Sequence, residues 1–134
     1  MKLTIVTPEK RLLVNQEVEE VTVPAFKGEL NILAGHAPLI TTLETGVMKW
    51  KINGKEEVAV ISWGYLQVSA DGTVNILANI ADLPEEIDIV ATKEFLSQTE
   101  DKALNELIPD EDWENFQREW TRAKAKLEVA ENKK

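Results

Sequence analysis

The chain has no cysteine. That excludes disulfides, thiolate metal centres and thiol nucleophiles, and it is compatible with a reducing cytoplasm. A single histidine, His36, stands alone. A histidine-built metal site therefore lacks its second ligand, and a hydrolytic dyad lacks its nucleophile, since Ser62, Ser69 and Ser97 sit in no GxSxG setting. The six glycines form neither GxGxxG nor GxxxxGK[ST], so the common phosphate loops are missing. No apolar run approaches the roughly 20 residues a membrane helix needs. The opening MKLTIVTPEK is too short and polar to read as a signal peptide. Positive charge is scarce too: 15 Lys and Arg against 24 Asp and Glu leave a net charge of -9. A nucleic-acid binder needs the opposite field, and an anionic lipid surface repels such a chain.

What is present is enough for one ordinary core, 134 residues of which 43% are hydrophobic. Up to about Leu83 the pattern runs in period two. KLTIV alternates, EVEEVTV alternates around Val18, Val21 and Val23, and VMKWKI sets Met48, Trp50 and Ile52 on one face and Val47 and Lys49 on the other. Asn53-Gly54 and Asp71-Gly72 each separate two such runs, which predicts two hairpins with two-residue turns. Short strands at this spacing, with no helical pattern between them, predict an antiparallel β-sandwich.

At Pro84 the period changes. Ile87, Val90 or Ala91, Phe95, Ala103, Leu104 and Leu107 predict the apolar face of a first helix, broken by Pro109. Asp110 predicts the cap of a second, whose apolar stripe is Trp113, Phe116, Trp120, Ala123, Leu127 and Ala130. Arg118, Arg122 and Lys126 step by four along another face, and Lys133 and Lys134 follow. The expected architecture is α+β: a sandwich over residues 1–84, then a two-helix hairpin over 85–134. The hairpin is too small to stand alone, so its stripe must lie against its twin helix, the sheet or another protein. An acidic chain thus ends in a basic helix, a sign that suits an acidic protein surface.

The stretch GELNILAGHAPLITTL, from Gly28 to Leu43, gathers His36, two glycines and Pro38. By its residues alone it reads as a glycine-permitted loop between strands, with Glu29 and His36 at one end of the sandwich and His36 hydrogen-bonded within a turn. The acids near Asp88, Glu94 and PDEDWE read as helix-start charges rather than a catalytic pair.

GELNILAGHAPLITTLETGVMKWKINGKEE, followed by VSADGTVNILANIA and a two-helix tail, closely resembles the epsilon subunit of the bacterial F-type ATP synthase, whose hallmark here is GELGILPGHAPLLT. Asn31 stands where that hallmark has glycine and Ala34 where it has proline; asparagine tolerates positive φ, so the turn is expected to be retained. The resemblance covers essentially the whole chain. It implies a non-catalytic rotor subunit with no cofactor, in which the sandwich packs on the gamma subunit and the ring of c subunits. By matching positions it assigns Gly28, Glu29, Leu30, Asn31 and His36 to that contact. It implies further that the hairpin reaches the alpha and beta subunits and inhibits ATP hydrolysis, with Arg118, Arg122 and Lys126 meeting an acidic segment of beta. The location implied is the cytoplasmic face of a bacterial inner membrane, peripheral and without insertion. Some members of that family bind ATP between the helices through a motif of Ile or Leu, Asp, two variable residues, Arg and Ala. Here IDIVAT keeps Ile87 and Asp88 but has Ala91 in place of the arginine, so no nucleotide site is assigned, and an ATP sensor is the alternative reading.

Overall fold

The computed structural model describes residues 1–132; Lys133 and Lys134, the last of the basic tail, lie outside the described residues. Eight strands come first: β1 Lys2–Val6, β2 Arg11–Glu17, β3 Glu20–Ala25, β4 Gly28–Leu33, β5 Leu39–Leu43, β6 Gly46–Ile52, β7 Lys55–Val68 and β8 Thr73–Asp82. A short 3-10 turn, Pro84–Glu86, leads to helices α1 Ile89–Asn105 and α2 Asp110–Asn132. Along the sheet the order is β2-β1-β8-β7-β5-β3-β4, with β6 bridging β3 and β7.

The fourteen-residue β7 joins the two layers. Its first half pairs with β6, and its second half pairs with β5 and β8. Folded on that strand, the layers bury Leu3, Ile5, Leu66, Val74 and Ile76 against Val21, Val23, Ile32, Met48 and Trp50. Met48 and Trp50 point inward as their alternation predicts. One pairing departs from the antiparallel expectation: β1 runs parallel to β8, from Lys2 beside Thr73 to Val6 beside Leu77. No hairpin rule applies to strands this far apart in sequence, so a pattern-based reading has no handle on their direction.

The turns divide the same way. Asn53 and Gly54 both take positive φ (51° and 78°) between β6 and β7, as a two-residue turn of the I′ type requires. Asp71-Gly72 differs from its prediction: only Gly72 (φ 88°) is left-handed, in a four-residue loop closed by Gly72 N–H donating to the Ser69 carbonyl. EVEEVTV is also not one strand. The chain breaks at Val18 and Glu19, whose N–H groups bond to the Met1 and Lys51 carbonyls.

The helical hairpin buries only part of the face its stripes predict: Ala123 and Ala130 of the α2 stripe are buried, Phe116, Trp120 and Leu127 half-buried, and Trp113 is not. In α1 the buried residues are Thr92 and Thr99, each hydroxyl donating back to the carbonyl four residues earlier, at 2.7 Å. Val90, Phe95, Leu104 and Leu107 are exposed, the last at 97%. In α2 the buried side chains are Ala123, Ala125, Val129 and Ala130, whereas Trp113 stacks on Phe116 and stays exposed. Ala125 and Val129 seat α2 on Val60 of β7, while α1 packs on α2.

Candidate interaction surfaces

GELNIL is strand β4, not loop, and this separates residues the sequence reading had grouped. Gly28 (φ 118°) opens the strand after the turn at Phe26 and Lys27, opposite Ala25, while Glu29 lies opposite Pro24. Leu33 closes it opposite Glu20, roughly 17 Å further on at the rise of a strand. His36 follows, in a turn whose closing bond runs from its N–H to the Leu33 carbonyl. Gly28, Glu29, Leu30 and Asn31 therefore sit toward one end and His36 beyond the other. His36 Nδ1 donates to the Ala37 carbonyl at 2.7 Å and lines a recess with Met1, Glu17 and Asp71. Asn31 has no positive φ to tolerate: it is a strand residue whose Nδ2 donates to Thr22 Oγ1 across the pair (2.8 Å). The turn demand falls on Gly35 instead (φ 85°).

The outer face of β5, β7 and β8 carries an exposed apolar row set among Thr42, Gln67 and Asn75. Tyr65 lies opposite Leu77 on β8 and Thr42 on β5, with Ile40 one step along and Trp63 the other way. Ile40 is 74% exposed, Tyr65 56% and Leu77 52%. An antiparallel sheet normally turns polar residues to water on such a face.

A second face of β7 is covered, by α2. Across Ala59, Val60, Ile61 and Ser62 every residue is buried, because Ala59 and Ile61 enter the main core while Val60 lies under the helix. Val60, Ala125 and Val129 form a separate small cluster, with Val47, Val58 and Ile87 half-buried around it. Among the described residues, no helix side chain joins the main core.

Arg118, Arg122 and Val129 lie on the same side of α2 as Ala125, so the basic stripe faces the sandwich. Arg122 Nε donates to Asp82 Oδ2 at 2.8 Å and its Nη2 to Oδ1 at 2.9 Å, a two-point fork onto the last residue of β8. Arg118 pairs with Glu114 one turn away (3.0 Å) and rests over the Trp63 ring at 5.3 Å. Lys126 borders a cleft of about 360 Å³ between the helices, with Asp88, Ala91, Thr92, Phe95 and Arg122. The linker is tied as well. Lys10 donates to both Glu86 carboxylate oxygens at 2.9 Å, which holds the Glu86 carboxyl below its usual range, and Leu83 N–H adds a third bond.

The sandwich, residues 1–84, matches the family described as ATP synthase, Delta/Epsilon chain, beta-sandwich domain. A protein named ATP synthase epsilon chain from Bdellovibrio bacteriovorus is 77% identical over 133 residues, 98% of this chain and 94% of its own. The chain belongs to the ATP synthase epsilon family. A second epsilon chain, from Geotalea uraniireducens, is 35% identical over 131 residues, 97% of this chain and 93% of its own. A chain in the cryo-EM structure of Euglena gracilis mitochondrial ATP synthase, which holds OSCP, F1 and c-ring, superposes with a TM-score of 0.83 at 25% identity, covering 97% of this chain and 80% of that one. The fold also occurs in the central stalk and c-ring structure of Tetrahymena thermophila ATP synthase, TM-score 0.69 at 17% identity, covering 96% and 95%. This epsilon-family chain is thus a non-catalytic central-stalk subunit of the F-type ATP synthase. Among its described residues no helix is long and apolar enough to cross a membrane.

Two residues that hold the hairpin on the sandwich, Val60 and Asp82, carry little sequence signal. The unbroken run VAVIS is the one signal for Val60, since a strand apolar on both sides is buried on both. Asp82, closing the apolar strand TVNILANIAD, carries no signal of a partner forty residues away.

Proposed function

We propose that the sandwich grips the gamma shaft and rests on the c-ring, and that the hairpin is a detachable brake on ATP hydrolysis. The observation that carries the reading is the division of the core. The hairpin meets the sandwich through the small cluster of Val60, Ala125 and Val129, the Arg122–Asp82 pair and Arg118 over Trp63, with Lys10 tying Glu86 of the linker, while the main core closes without it. A buried valine stabilises by about 1.5–3 kcal/mol, so docking of this size is reversible at the energies of protein contacts. Residues 1–84 form the coupling unit and 85–134 the regulatory one. The exposed row of Ile40, Tyr65 and Leu77 is the surface we assign to gamma, because water leaves it at a gain. The Gly28 to Asn31 end, led by Glu29, is assigned to the ring. His36 belongs to the rotor contact at the far end of β4. Released from the sandwich, Arg118, Arg122 and Lys126 present a cationic face to an acidic surface of the beta subunit within the alpha/beta head. The assembly lies on the cytoplasmic face of a bacterial inner membrane.

Replacing all three cations by glutamate in the assembled enzyme tests the brake. Hydrolysis should rise, and the residual inhibition should lose its salt dependence. Unchanged hydrolysis refutes it. Tyr65→Asp with Leu77→Asp should abolish co-purification with gamma; full retention refutes the shaft assignment.

A further inference from the structure

The fork between Arg122 and Asp82 gives the cationic stripe a partner within its own chain. Asp82 is 17% exposed at its side chain and Arg122 30%, so the pair is largely withdrawn from water and screened less than a surface pair. It spans forty residues, from the last position of β8 to the middle of α2. Two further contacts close the same face. Arg118 is parked over Trp63, and Ala125 and Val129 seat the helix on Val60. With α2 in this position, Arg122 Nε and Nη2 are both committed to Asp82.

We propose that Asp82 is an internal decoy for the brake: it occupies the guanidinium that an acidic partner needs, so docking on the sandwich and braking compete for Arg122. This rests on the reading of the hairpin as a brake. The competition is strict for a geometric reason. Asp82 takes Arg122 Nε and one terminal nitrogen, the edge of the fork best matched to a carboxylate, and a partner carboxylate wants that edge too. Arg118 is held by its plane against Trp63 while Glu114 takes its Nη2. Releasing the arm uncovers both cations together, and Asp82 returns to water. The docked form is therefore the self-silenced form, and the strength of one ion pair sets how often the brake is available.

Asp82→Asn removes the decoy charge without touching a residue assigned to any partner. In the full chain, hydrogen exchange of α2 amides from Trp113 to Val129 should quicken about 10-fold, with strand amides at Val21–Val23 and Leu66–Val68 unchanged. The assembled enzyme carrying the variant should be inhibited several-fold more strongly. Unchanged exchange in α2 overturns the decoy, whatever hydrolysis does. Faster exchange with wild-type hydrolysis overturns it too, provided the triple charge reversal still relieves inhibition; if that reversal is silent, the brake itself has failed. Should strand protection also fall, Arg122→Lys decides. Lysine keeps the charge but loses the fork, and must free the helix with the strands intact.

Discussion

Arg122 on α2 and Asp82 at the end of β8 hold each other by two hydrogen bonds of 2.8 and 2.9 Å, across the boundary between strands and helices. Arg118 and Glu114 make a pair of nearly the same length within one helix. The two are not equivalent. Paired alanine substitutions at 82 and 122 should show a coupling energy of about 1–3 kcal/mol in a double-mutant cycle. The cycle at 114 and 118 should give less than about 0.5 kcal/mol, since that pair is exposed and local. Equal couplings would mean that withdrawal from water contributes nothing at Asp82.

Gly64 has a different constraint. A Cβ built there would lie 2.0 Å from the Leu77 carbonyl oxygen, on a backbone that cannot swing aside without breaking the β7–β8 ladder. Gly64→Ala should lower stability by at least about 3 kcal/mol in urea denaturation. Gly72→Ala, at φ 88° in open space, should lose only about 1–2 kcal/mol.

The turn Leu33-Ala34-Gly35-His36 has its glycine at the third position with φ 85°, and the bond from His36 N–H to the Leu33 carbonyl closes it, the signs of a type II turn. Proline suits the second position of such a turn, and Ala34 holds it. Ala34→Pro should raise stability by about 0.4–1 kcal/mol, through the unfolded chain. A loss in thermal melting would show that the Ala34 backbone is not in the conformation this turn type needs.

Acid should loosen the linker. Lys10 lowers the Glu86 carboxyl from its ordinary 4.5, so the folded chain binds that proton less readily than the unfolded one. The contribution is then complete above the ordinary value and is lost as pH falls through the lowered one. Melting temperatures followed from about pH 7 to about pH 3 should converge for the wild type and Glu86→Gln at the acid end. A constant gap throughout would contradict the ion pair.

ATP should not close the interhelical cleft. Its Arg122 is committed to Asp82, and Ala91 stands where the ATP-binding motif has arginine, which leaves Lys126 as the cation on its wall. Fluorescence from Trp113 and Trp120 should stay flat at millimolar ATP. A saturable change would revive the sensor.

Local chemistry was legible where neighbours in sequence are neighbours in space. Asn53-Gly54 encodes its own hairpin, Met48 and Trp50 encode their buried face, and Pro84 marks the end of the strands. GELNIL hid its strand because glycine and asparagine lower β propensity, while its pairing with β3 supplies what propensity lacks. The helical stripes were only half legible because the largest apolar side chains set the pattern, and here Trp113, Leu104 and Leu107 face water while Ala123, Ala125, Val129 and Ala130 are buried.

The amino-acid order alone determined the class of fold, the division between strands and helices, and the family, since all of these follow from period, composition and contiguous motif. Tertiary structure decided the rest: that β1 lies parallel beside β8, that Glu29 and His36 part to opposite ends of a strand, and that the basic stripe turns inward onto Asp82. Each depends on residues far apart in the chain, whose approach is set by how whole layers pack and leaves no period in the sequence to read.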